Sequence, residues 1–260
     1  MSCCVNWRDA IENMHNECLR KFLKKKKPVT AMKIAIKNKK YDCLPIFLEF
    51  GYQFPDNSIK EFIKEVRADL LELAYTHGVE MKEDDCFTAC RFKQMTCLQY
   101  LHNRGCPWNS ECLIVSAELH NFDQIKYLCE NGCPISDDVM CRAVGESRIE
   151  YVDYFLEHGG SLSSTLYVWA KNLKMIKYLH SLNCPFSNGI PYNVKLNMLE
   201  YLYKNGLHWD EVICYSLARQ KKVDCLKYAH INGCPIGERH KYKYMSEEVK
   251  KYVDLLFEKK

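Results

Sequence analysis

The sequence predicts an all-α fold, a solenoid of about nine short repeats, each a pair of antiparallel helices closed by a rudimentary loop. Three observations predict it. The first is recurrence: the stretch CLQYLHNRGCPW, Cys97 to Trp108, returns in degraded copies along the chain. Aligned on the glycine of GCPW, the copies fall at Lys26, Gly51, Gly78, Gly105, Gly132, Gly159, Asn183, Gly206, Gly233 and Lys260. The intervals are 25, 27, 27, 27, 27, 24, 23, 27 and 27 residues, and a period between about 20 and 50 residues marks a stacked array. The second is helical periodicity within each period. The third is punctuation, with glycine closing a copy and proline plus a capping residue opening the next.

The second helix of each repeat, helix B, carries the clearest columns. Seven residues before the marker stand Leu19, Leu44, Leu71, Leu98, Ile125, Val152, Ile176, Leu199, Leu226 and Val253. Four before it stand Phe22, Phe47, Ala74, Leu101, Leu128, Phe155, Leu179, Leu202, Ala229 and Leu256. A spacing of three puts both columns on one face, and Tyr100, Tyr127, Tyr154, Tyr178, Tyr201 and Tyr228 widen it. The marker glycine then ends the helix in a left-handed conformation, for which Asn183 is the usual second choice.

The loop follows. Proline two residues past the marker (Pro28, Pro107, Pro134, Pro185, Pro235) fixes a tight connection. The next position is always apolar (Val29, Phe54, Met81, Trp108, Ile135, Leu162, Phe186, Trp209, Ile236), which predicts packing beneath the loop. Trp108 and Trp209 belong to this column, whereas Trp7 and Trp169 lie outside it as candidate exposed anchors. Thr30, Asn109, Ser136, Ser163, Ser187 and Asp210 then read as N-caps that start helix A. Small residues near its end (Ala35, Ala89, Ala117, Ala143, Ala218) let two helices approach closely. After a brief turn, Asp42, Asp69, Asp123, Glu150 or Asp224 places negative charge at the start of helix B, where the helix dipole favours it.

Composition is that of an ordinary folded chain, 47% apolar and 27% charged, and no apolar run is long enough to span a membrane. The first residues, MSCCVNWRDAIENMH, have no leader character, so a cytoplasmic or nuclear address is expected. Sixteen cysteines admit disulfides, metal ligands or small buried hydrophobes; without a secretory segment, free thiols filling helix interfaces is the favoured reading. The net charge of +4 is segregated: residues 1–64 carry +6, residues 65–160 carry −9 and residues 161–260 carry +7. A nucleic-acid stripe would not be acidic through its middle third, which disfavours nucleic acid as the partner.

The whole span 1–260 reads as a single repeat domain, with an N-terminal cap over about 1–29 and a C-terminal cap over about 234–260. Lysines crowd both caps (Lys21, Lys24 to Lys27; Lys241, Lys243, Lys250, Lys251), as the solvent-facing end of an array requires. The unit over about 184–206 is irregular: SNGIPYN puts Gly189 and Pro191 where helix A belongs, so that helix is expected to be shortened or lost and the stacking altered there.

The order loop, helix A, turn, helix B, glycine resembles the ankyrin repeat, whose usual length is about 33 residues. The wording CLQYLHNRGCPW, with INGCPI from Ile231 and LNCPFSN from Leu182 as variants, is similar to the short 27-residue ankyrin-like repeat abundant in giant DNA viruses of amoebae. The resemblance covers essentially the whole chain and implies an ankyrin-like solenoid, a viral source and host-virus protein-protein interaction. The usual Thr-Pro-Leu-His start of helix A is absent, and the short connection replaces the long hairpin fingers. Relatives of this kind often couple to ubiquitin ligases through an F-box, for which no residues remain here.

Chemistry is expected to be absent. The His-x3-Cys pairs (His102 and Cys106, His180 and Cys184, His230 and Cys234) recur at one repeat position, which offers two ligands per unit where zinc needs four at one point. No catalytic constellation, phosphate loop or cofactor site is read, and no small-molecule substrate. The expected function is therefore that of a non-enzymatic scaffold whose concave face, lined by helices A, binds a protein. Candidate contacts are Glu83, Asp84, Asp85, Arg91, Glu111, Glu118, Asp137, Asp138 and Arg142, whose acidic character implies a basic partner surface. The alternatives are a structural or packaging component that self-associates or binds nucleic acid through its basic ends, and a ubiquitin-ligase substrate adaptor lacking its own F-box.

Overall fold

A computed structural model describes residues 4–26, 28–186 and 189–258. Among the described residues the chain is all-helical, with eighteen α-helices, two short 3-10 turns and no strand. It divides into two compact units, Met1–Ser116 and Ala117–Lys260.

The first unit holds α1 (Trp7–Glu12), α2 (Asn16–Lys25), α3 (Ala31–Lys37), α4 (Leu44–Glu49), α5 (Ser58–Lys64), α6 (Ala68–Thr76), α7 (Glu83–Arg91) and α8 (Met95–Asn103). Helix α9 (Glu111–Glu118) carries the chain across the division. Odd-numbered members are helices A and even-numbered ones helices B. Each A packs on its own B, as α1 on α2, α5 on α6 and α7 on α8; between repeats like meets like, α5 against α7 and α6 against α8.

The second unit holds α10 (Phe122–Glu130), α11 (Asp137–Gly145), α12 (Ile149–Glu157), α13 (Leu166–Trp169), α14 (Leu173–Ser181), α15 (Leu196–Lys204), α16 (Glu211–Arg219), α17 (Val223–Ile231) and α18 (Glu247–Glu258). The same pairing recurs in α11 on α12, α11 against α13, α14 against α15, α16 on α17 and α17 against α18. The irregular unit has lost its helix A: residues 189–195 are non-helical and lead directly into α15. Ser187 and Asn188 lie outside the described residues. The preceding A helix, α13, is cut to four residues, so the period of 24 shortens a helix as well. In the last unit the A position holds only a 3-10 turn, Arg239–Tyr242. Gly237 and the charged run after it give no amphipathic stripe to bury.

The predicted core is present column by column. All ten residues seven before the marker are 0 or 1% exposed. The column four before it is buried from Phe47 to Ala229, while Phe22 and Leu256 at the two ends are half-buried. Ala35, Ala89, Ala117, Ala143 and Ala218 are buried as close helix approach demands. The apolar position after the loop proline is half-buried or buried from Phe54 to Ile236, but Val29 is 91% exposed and packs beneath nothing. It follows a repeat whose marker, Lys26, is extended (φ −151°) where the marker glycines and Asn183 are left-handed.

The helix ends show which punctuation is used. Gly51, Gly78, Gly105, Gly132, Gly159, Gly206 and Gly233 have positive φ, and Asn183 joins them at 53°. In each repeat the next amide reaches back to a carbonyl five residues earlier, for example Cys106 N to Leu101 O at 3.0 Å, the bond that satisfies a helix end. A second left-handed position, without glycine, closes helices A: Met14, Lys39, Val66, Lys93, His120, Ser147 and Lys221. The same return bond follows it, as in Gln94 N to Ala89 O at 2.9 Å. The N-caps divide. Asp210 accepts from Ile213 N at 2.8 Å and Asn109 from Glu111 N at 2.9 Å, whereas Thr30 and Ser136 make no capping bond through their side chains. Ser163 shares a hydrogen bond with Thr165, the residue that stands at the cap of α13.

Candidate interaction surface

The predicted contact residues sit at both ends of helices A. Glu83, Asp84 and Asp85 form the first turn of α7, Glu111 opens α9, and Asp137 with Asp138 opens α11. Carboxylates are favoured there because the free amides and the dipole of a helix N-terminus are positive. Arg91 and Arg142 stand in the last turns of α7 and α11, and Glu118 ends α9. Burial raises the Cys141 thiol, and the charges of Asp138 and Asp137 add to it, whereas the Cys112 thiol is lowered by its contact with Cys90 against the charges of Glu83 and Glu111.

Three of the nine side chains are used internally. Asp85 is half-buried and accepts from Tyr75 OH at 3.1 Å and from Lys82 N at 2.9 Å, so it caps its own helix. Burial holds its carboxyl above the ordinary value of 3.8. Glu118 and Arg142 pair with each other at 2.8 Å. Glu83, Asp84, Arg91, Glu111, Asp137 and Asp138 are exposed. None of these five carboxylates holds an ion pair among the described residues, and Asp137 only accepts from Ser161 at 3.4 Å.

Three carboxylates on helices B are held by the next repeat. Tyr100 OH and Arg104 both donate to Glu72 of the preceding repeat, which lowers the Glu72 carboxyl, and burial together with that bond raises the Tyr100 phenol to about 12. Tyr154 donates to Glu130 at 3.2 Å and Tyr178 to Asp153 in the same way. Tyr201 meets His180 at 2.8 Å. The tyrosine column, read in the sequence only as part of an apolar face, is thus a row of polar links between successive B helices.

The recurring His-x3-Cys pairs are structural. Cys106 donates to Lys82 O at 3.2 Å, Cys184 to Ser163 O at 3.4 Å and Cys234 to Asp210 O at 3.2 Å, each carbonyl lying four past the previous marker. His102 stacks on Trp108 with centroids 3.9 Å apart, His180 bonds Tyr201, and His230 stands edge-on to Tyr252. Every described cysteine is buried and outside any disulfide. Burial raises Cys43, Cys97 and Cys184 to about 11 and Cys129 to about 12, the behaviour of packing groups rather than nucleophiles. Of the two tryptophans outside the column, Trp169 is 41% exposed and edge-on to Tyr192, and Trp7 lies under Arg8 at 5.2 Å.

Two features of the surface have no counterpart in the repeat reading. A cavity of about 730 Å³ in the second unit is lined by Lys195, Lys221, Lys222, Lys227 and Lys251 with only Asp224 and Glu248 opposing them. Cys4, His15 and Cys18 form a cluster of potential metal ligands. Periodicity hid the latter, because Cys4 precedes the first repeat. No described helix is long and apolar enough to cross a membrane. No protein-family model matches the chain, and no curated protein matches it as a relative.

Proposed function

We propose that the chain is an ankyrin-like solenoid acting as a non-enzymatic scaffold, and that it binds a basic protein surface through the first turns of its central helices A. One contrast supports this reading above all. Glu72, Glu130 and Asp153 on helices B are held by the tyrosine, and Glu72 also by the arginine, of the next repeat, while Glu83, Asp84, Glu111, Asp137 and Asp138 on helices A stand exposed without an ion pair among the described residues. Uncompensated charge of one sign on successive repeats steers an oppositely charged partner and repels like-charged ones. The repeat wording, similar to that of giant-virus repeats, supports looking for such a partner among host or viral proteins. Affinity capture with the full chain tests it: replacing Asp84, Glu111, Asp137 and Asp138 by lysine should release the partners held by the unaltered chain. Retention of the same partners by a folded variant would refute the assignment.

A second reading, nucleic acid or another polyanion held through the basic end, is favoured by the lysine-lined cavity. Binding of duplex DNA that weakens steeply with salt and fails when Lys221, Lys222 and Lys251 become glutamate would establish it.

A further inference from the structure

We propose that Cys4, His15 and Cys18 form a zinc site that clamps the residues before α1 to the start of α2. Each offers one ligand atom, and the three atoms lie within 4.8 Å of one another. Local structure brings them there for stated reasons. Asn6 caps α1 by accepting from Arg8 N at 2.8 Å and Asp9 N at 3.1 Å, which fixes how the chain carrying Cys4 enters the helix. Met14, left-handed at φ 52°, reverses the chain after α1, and His15 N bonds back to Ala10 O at 2.9 Å. His15 is then the N-cap of α2 and Cys18 lies in its first turn, three residues on.

The chemistry suits a borderline-soft ion. Two thiolates and one imidazole are a set that zinc accepts, with a fourth position left for water, whereas magnesium and calcium require oxygen ligands. Tetrahedral zinc with bonds of about 2.3 Å to sulfur and about 2.0 Å to nitrogen sets its ligand atoms roughly 3.5 to 3.8 Å apart. The cluster therefore needs to contract by at most about 1.3 Å from its outer limit of 4.8 Å. Cys4 and Cys18 are 6 and 2% exposed while His15 is exposed, so the sulfurs face the interior and the imidazole side is open to solvent. Binding is a proton exchange without redox change: the ion takes two thiolate sulfurs and one neutral imidazole nitrogen, and two thiol protons leave to solvent. The benefit is local. Helix α1 has six residues and buries Ala10 and Ile11, and a metal bond would tie the chain at Cys4 to α2 as well.

The test uses the full, reduced, metal-free chain titrated with cobalt as a spectroscopic stand-in, followed by competition with zinc. One equivalent of cobalt should bind with thiolate-to-metal absorption, be displaced by zinc, and release two protons per ion. Cys18→Ser and Cys4→Ser should abolish that absorption. His15→Ala, at an exposed position that leaves the helices intact by circular dichroism, should weaken binding by about tenfold or more. Cys129→Ser, a buried thiol far along the sequence, should bind as the unaltered chain does. Absence of one-equivalent binding, or binding indifferent to both His15→Ala and Cys18→Ser, would overturn the site.

Discussion

Val66 is β-branched, 45% exposed, and held at φ 57° where α5 ends. A left-handed conformation costs a non-glycine residue roughly 1–2 kcal/mol, most for β-branched side chains. Val66→Gly should therefore raise stability by about 1 kcal/mol in denaturant unfolding, and an unchanged or lower midpoint would show that the side chain contributes packing instead. Cys106 carries the opposite expectation. Its thiol bridges two repeats by donating to Lys82 O, so Cys106→Ala should cost about 1 kcal/mol or more, while Cys106→Ser, which keeps a donor, should cost less. Glu72 adds a pH dependence. Its carboxyl is lowered from an ordinary 4.5 by Tyr100 and Arg104, so its contribution is present above that value and is lost as pH falls through the lower folded value. The stability gap between the unaltered chain and Glu72→Gln should narrow as pH falls below 4.5 and close once pH is below the lowered folded value. At this scale the sequence was partly legible. The glycines announced their left-handed turns, but Met14, Lys39, Val66 and Lys93 share no chemistry that marks theirs. There the backbone conformation is imposed by the packing of the helices on either side.

Helix B is the most regular element, and its period-wide apolar columns explain why it was legible. Leu98, at 0% exposure, stands for the column, and Leu98→Ala should destabilise by about 2–5 kcal/mol through lost burial and the cavity left behind; calorimetry or denaturant titration measures it. Helix A is where sequence and structure part. Gly189 and Pro191 foretold the missing helix in the irregular unit, since neither continues a helix well. Nothing comparable foretold the shortening of α13, whereas the 3-10 turn at Arg239–Tyr242 follows from Gly237 and the charged run after it, a signal that the repeat columns pass over. The acidic first turns were legible as residues, but their division into spent and unspent charge was not. Asp85 differs from Asp84 by one helical step, and that step turns it toward Tyr75.

Over the whole chain, segregation of charge becomes a division of labour, with acid on the A helices of the middle and lysine around the cavity in the second unit. The thiols give a chain-wide titration. An ordinary cysteine ionises near 9, while Cys43, Cys97 and Cys184 are held at about 11 and Cys129 at about 12. For an acid whose folded value is raised, stability is fully present below the unfolded value and drains away as pH rises through the folded one. Unfolding should therefore become easier between pH 9 and 12, followed by far-ultraviolet circular dichroism. A thiol-specific reagent at neutral pH should label the described cysteines of the native chain slowly and those of the denatured chain at once.

Sulfur kept indoors has one more result. Where each described thiol is shut inside, an oxidant must wait for the chain to open before it can reach one, so the rate at which those thiols oxidise in air is a clock for the chain's own breathing. Damage to them would then accumulate at the rate of opening and not at the rate of oxidant supply, and any ligand or metal that slows opening would slow it without touching a single thiol beyond its own site.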